Sequence, residues 1–159
     1  MREATVDLRY EDGAAAQRPG LTILPCTDEP RGHWSVEVNG WAMALDVNLS
    51  SPAPALVDAY GKLYIGVEQG IFTLDLKTGE VLERISEIGA VQWIEADASD
   101  RVIFAAEDEL IALGPDGRLA WRKNLPDIIA TTDVDGDALV ITDMSENVYR
   151  LRTSDGAVL

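Results

Sequence analysis

Glycine-ended turns recur along this chain at an almost constant interval. They fall at Gly40 (Asn-Gly), Gly79 (Thr-Gly), Gly117 (Asp-Gly) and Gly156 (Asp-Gly), spaced by 39, 38 and 39 residues. Glycine supplies the positive φ that a tight hairpin requires, and Asn, Asp or Thr before it favours the same turn. Other positions keep the register: Leu74, Leu113 and Leu151, and Ile65, Phe104 and Ile141. A chain with this period is built from copies of one unit.

Within each copy the apolar residues alternate or run briefly, as in "LYIGV", "IFTLDL", "VIFAA", "LIAL", "LVIT" and "VYRL". These runs are β-rich in composition and too short for helices, so they predict strands. A copy of this length holds roughly four strands of ~5 to 6 residues joined by short turns. In the second copy they are expected near Ala53 to Asp58, Leu63 to Val67, Ile71 to Leu76 and Val81 to Ile85. "GAAAQ", Gly13 to Gln17, is the sole helix candidate and is too short to be stable alone. The expected fold is all-β, with β-propeller-like four-stranded antiparallel blades. The whole chain, 1–159, reads as one repeat domain: residues 1–50 form a degraded first repeat, and 51–159 three recognisable ones. Equivalent positions should meet in equivalent layers, placing Trp121, Leu74, Leu113, Leu151, Ile65, Phe104 and Ile141 in the core between blades.

"LYIGVEQGIFTLDLKTGEVL" resembles the repeat of pyrroloquinoline-quinone-type (PQQ-like) propellers. There, an apolar strand, a polar turn, an Ala-Leu-Asp-like strand, a Thr-Gly or Asp-Gly turn and a Trp-bearing strand follow one another. Leu74, Asp75 and Gly79 fit in the second copy, and Leu113, Gly117 and Trp121 in the third. The tryptophan position holds Glu83 in the second copy and Ala44 in the first; Gly114 and Arg152 answer Asp75. The resemblance covers about residues 53–159 and implies a module shared by enzymes, assembly factors and sensors. The quinone is not expected, because the vicinal cysteines and metal-binding positions of such enzymes have no counterpart here.

Propellers close with ~4 to 8 blades, whereas this chain offers three good copies and a degraded one. Three outcomes are open: a small ring with "ATVDLRY" or "LTILP" completing the last blade, an open arc whose edge strands pair with a second copy, or part of a longer parent.

Charge narrows the partners. The 28 acidic against 13 basic residues give a net charge of −15, which disfavours nucleic acid and anionic membranes. The opening "MREATVDLRYEDG" lacks the apolar run of a secretory signal, and no later run approaches a membrane span. One cysteine, Cys26, excludes an internal disulfide. A cytoplasmic chain is expected.

No catalytic set stands out. His33 is the single histidine and reads as structural; Cys26 reads as inert, with Asp28 and Glu29 nearby raising its pKa. "DVDGD", Asp133 to Asp137, suggests a calcium loop, but Ala138 and Met144 stand at its sixth and twelfth positions, where an EF-hand needs glycine and a bidentate acid. It reads as a strand-connecting turn, with no metal and no cofactor expected.

Carboxylates recur on one rim, in the turns between second and third strands and in the connections between blades: Glu68, Glu107, Asp108, Glu109, Glu146, Glu87 and Asp127. Of these, Glu68, Glu107, Asp108 and Glu146 are the candidate partner-binding residues. They suit a basic protein partner in a non-catalytic binding or scaffold module, with a bacterial immunity-type protein as one specific form. Plain solvation competes with this, because the opposite rim is also acidic at Asp58, Asp97, Asp100, Asp133, Asp135 and Asp137. The alternative is a hydrolase or lyase whose carboxylates converge in a central cleft.

Overall fold

The computed structural model describes residues 5–16, 21–38, 40–48, 53–96 and 99–159. Their alternating apolar runs form strands in four sheets. The first contains β1 (Asp7–Asp12), β2 (Thr22–Pro25), β3 (Gly32–Val38) and β4 (Trp41–Val47). The second contains β5 (Ala55–Ala59), β6 (Lys62–Val67), β7 (Gly70–Asp75) and β8 (Val81–Ile85). The third contains β9 (Val91–Ala96), β10 (Val102–Ala106), β11 (Glu109–Leu113) and β12 (Leu119–Asn124). The fourth has three strands, β13 (Ile129–Asp135), β14 (Ala138–Asp143) and β15 (Val148–Arg152). The second to fourth are antiparallel meanders, the blade units of a β-propeller-like fold.

No helix occurs among the described residues. Of the helix candidate, Gly13 to Ala16 form a strap in which Gly13 N–H donates to Arg31 O and Ala15 N–H to the Asp46 carboxylate, both at 2.8 Å. Gln17 lies outside the described residues.

The repeat register explains the core. Central strands covered by a sheet on either side must be apolar on both faces, and β10 and β11 are buried throughout. Ile65 and Leu74 pack between the first and second sheets, Phe104 and Leu113 between the second and third, and Ile141 and Leu151 between the third and fourth. All six are buried. Equivalent positions thus fill successive layers, as expected. Among the described residues no hydrophobic cluster joins the fourth sheet to the first.

Each junction is pinned at the same place. The Trp41 indole N–H donates to Leu76 O at 2.9 Å, the Tyr64 hydroxyl to Gly114 O at 3.0 Å, and the Trp121 indole to Thr153 O at 2.9 Å. Each acceptor lies three residues before a turn glycine. A β-carbon on Gly79 or Gly156 would stand 2.8 Å from Trp41 or Trp121, and one on Gly117 would stand 2.6 Å from Thr73. These glycines therefore serve twice, with φ of 72°, 83° and 70° for the turn and a bare face for the neighbouring side chain.

The first sheet departs from the repeat. Its order is β1-β3-β4-β2, with β2 parallel to β4. Gly40 joins its two central strands, whereas Gly79 and Gly117 join the third and fourth strands of their sheets. Its 39-residue spacing therefore does not mark the same turn of the repeat, and the tryptophan that docks on the second sheet is Trp41, away from the expected position at Ala44. "ATVDLRY" and "LTILP" contribute β1 and β2 to this first sheet and do not complete the last blade. Instead, Val158 bridges to Leu151 and Leu159 N–H donates to Arg150 O at 2.9 Å, so the last residues run along β15 where a fourth strand would lie.

Candidate functional site

Glu68, Glu107 and Glu146 occupy the corresponding turn, between second and third strands, in the second, third and fourth sheets. All three adopt left-handed backbone, with φ of 48°, 50° and 65°. In two of them that conformation has a structural use: Glu68 O accepts from Val91 N–H at 2.8 Å and Glu107 O from Ile129 N–H at 2.7 Å, tying each turn to the following sheet. Asp108 O accepts from Leu125 N–H at 2.7 Å. The side chains fare differently. Glu68 is half-buried and accepts from Asn48 N–H, while Glu107, Asp108 and Glu146 are exposed and have no side-chain partner among the described residues.

The other rim carboxylates separate from this group. Glu109 is only 6% exposed and accepts from Arg122 Nε at 2.6 Å, so it is a buried ion-pair member and not a free rim charge. The sequence alone could not show this, because β11 begins at Glu109 and its first side chain points inward. Its hydrogen bond holds the Arg122 pKa above the ordinary value. Asp127 accepts from the Ser145 hydroxyl at 2.5 Å.

Asp143 is buried at the base of the fourth sheet's longer turn. It accepts from Ser145 N–H, Asn147 N–H, the Asn147 amide and the Tyr149 hydroxyl, at 2.8 to 3.2 Å. Burial pushes its pKa up, but the bonds from Asn147, Tyr149 and Ser145 outweigh it and hold the carboxyl below the usual range. The corresponding positions, Val67 and Ala106, precede two-residue turns that need no such anchor.

On the opposite end, "DVDGD" closes β13 and forms the turn to β14, with Gly136 at φ 65° and Asp135 paired to Arg150 at 3.1 Å. Asp97 lies outside the described residues. His33 is buried, its Nδ1 2.9 Å from Gly13 O and its Nε2 3.3 Å from Glu11, where it fastens the strap over the first sheet.

Beside β2 opens a cleft of about 360 Å³, bordered by Cys26, Asp28, Glu68, Phe72, Arg84 and Glu87 among others. Burial, then the Glu68 charge, pushes the Cys26 thiol up to about 12 against the opposing pull of Arg84. The thiol is therefore protonated at neutral pH, and burial rather than Asp28 or Glu29 is the main cause. Arg84 spreads over the Phe72 ring at 5.3 Å and donates to Pro25 O at 3.3 Å. Sequence reasoning missed this cleft, although one signal was present: Arg84 and Arg122 are equivalent, yet the position of Glu109, the partner of Arg122, is Gly70 in the copy that holds Arg84.

No family model matches the sequence, and no curated protein does. Solved structures do. The computationally designed Ika4 protein is 16% identical with a TM-score of 0.56, over 67% of this chain and 70% of that one. The computationally designed Ika8 protein is 15% identical with a TM-score of 0.58, over 79% of this chain and 42% of that one. Sqt1 of Saccharomyces cerevisiae is 13% identical with a TM-score of 0.54, over 67% of this chain and 34% of that one. The chain thus spans less than half of Ika8 and about a third of Sqt1. At these identities the likeness describes the fold.

Proposed function

We propose that this chain is a non-catalytic protein-binding module that meets a basic partner with the carboxylates on the turns at one end of its sheets. The observation that carries the reading is that Glu107, Asp108 and Glu146 stand exposed on corresponding turns with no side-chain partner among the described residues. A net charge of −15 adds long-range attraction for a basic surface. An immunity-type protein that neutralises a basic toxin is the specific form this reading favours. The PQQ-type repeat resemblance is compatible with it, since such repeats occur in assembly factors and sensors as well as in enzymes, and the docked Trp121 fits that repeat pattern.

The test compares wild type with Glu107→Lys/Glu146→Lys. Affinity capture from the native lysate should recover a basic protein with wild type and lose it with the double variant. The association rate of the purified pair should fall as salt rises for wild type, and for the variant start lower and fall less steeply. Equal rates at low and high salt for both proteins would show these turns to be merely solvated.

A further inference from the structure

We propose that the cleft between β2 and the second sheet binds a small zwitterion of the amino-acid class, whose carboxylate takes the place on Arg84 that Glu109 takes on Arg122. The two arginines are structural equivalents: Arg84 lies opposite Phe72 in the β7–β8 register, and Arg122 opposite Ile111 in the β11–β12 register. Two residues before Phe72 stands Gly70, and two before Ile111 stands Glu109. In the third sheet the Glu109 carboxylate is buried and meets Arg122 Nε at 2.6 Å. In the second sheet glycine removes that carboxylate. There Arg84 keeps a single weak bond to Pro25 O and makes no ion pair among the described residues.

The vacated place opens onto the cleft of about 360 Å³, at the small end of volumes that hold small molecules, roughly 300 to 1,000 Å³. A guanidinium lying on an aromatic ring with free donors recognises a planar carboxylate. Asp28, Glu68 and Glu87 border the same cleft. They repel a plain anion and attract an ammonium group, so both signs of charge are matched only when carboxylate and ammonium belong to one ligand. The Cys26 thiol adds no charge. This site stands apart from the proposed protein partner, because its recognition rests on Arg84 and Gly70 and not on Glu107, Asp108 or Glu146.

The experiment uses three probes with one side chain: L-leucine, 4-methylpentanoate, which lacks the ammonium, and 3-methylbutylamine, which lacks the carboxylate. Each is titrated into the full chain while amide NMR shifts are followed. Leucine should shift Gly70, Phe72 and Ser86 saturably, and each singly charged analogue should bind at least tenfold more weakly. Arg84→Gln should weaken leucine binding at least tenfold with an otherwise unchanged spectrum. Gly70→Glu should do the same by rebuilding the Glu109 arrangement. A β-carbon there meets Phe72 at 3.4 Å and Ile85 O at 3.6 Å, which is ordinary contact. Absence of saturable leucine shifts, equal affinity for all three probes, or unaltered binding by Arg84→Gln would each overturn the proposal, whether or not Gly70→Glu folds.

Discussion

The Trp121 indole donates to Thr153 O at 2.9 Å, and its ring covers the face of Gly156 at the end of the final turn. One side chain thereby joins the third sheet to the fourth through both packing and a directed bond. Trp121→Ala should cost about 3 to 5 kcal/mol, the range for truncating a large packed aromatic. Trp121→Phe should cost less, because the ring is largely kept and the indole bond is lost, about 1 kcal/mol net. Urea denaturation of the three proteins checks the order; a loss below about 1 kcal/mol for the alanine variant would place the ring outside the junction.

The repeat was legible because packing demands it. Ile65, Phe104 and Ile141, like Leu74, Leu113 and Leu151, occupy the same layer at successive junctions, and a layer of fixed shape keeps its residue type. The first sheet was not legible, since Gly40 serves a different hairpin and nothing in "LTILP" reveals that β2 runs parallel to β4. Trp41 was hidden for the same reason. At the rim, turn position was readable for Glu68, Glu107 and Glu146, while side-chain direction was not, so Glu109 looked exposed when it lies inside. Asp143 and Arg84 were missed because their importance depends on partners brought together only by folding.

Alkaline pH should weaken the fold. Burial pushes both the Cys26 thiol and the Tyr64 phenol up to about 12, from ordinary values near 9 and 10. Both groups are neutral in the folded state and ionise earlier in the unfolded chain. Their contribution is therefore complete below about pH 9 and is lost as pH rises towards 12. Denaturation midpoints measured from pH 8 to 11 should fall, with Cys26→Ala flattening the earlier part and Tyr64→Phe the later part. Tyr64→Phe should also lower stability at neutral pH, because Gly114 O loses the hydroxyl that ties it to the second sheet and keeps only the Gly117 N–H of its own turn.

Acid should act at the other end of the scale through Asp143. Its folded-state pKa lies below the ordinary value of 3.8. The stability it supplies is present above that value and is lost as pH falls through the folded-state pKa. Asp143→Asn should lower the midpoint at neutral pH, since an amide oxygen cannot serve all the donors now gathered on the carboxylate, and should flatten the acid limb below about pH 4. An unchanged acid limb would assign acid sensitivity to other carboxylates.

Glu107 and Glu146 hold a left-handed conformation that favours glycine, at φ of 50° and 65°. Glutamate there carries backbone strain that glycine would relieve, partly offset by the greater freedom glycine gives the unfolded chain. Glu107→Gly and Glu146→Gly should each leave the fold intact and raise stability by about 0.5 to 1 kcal/mol, since φ above zero is the condition under which glycine gains. The same substitutions remove rim charge, so association with a basic partner should slow at low salt while stability rises. That opposition distinguishes turns kept for binding from turns kept for structure, because strain retained against an easy remedy points to a use for the side chain. Urea titration paired with association rates reads both quantities. Higher stability with an unchanged association rate would detach these glutamates from recognition.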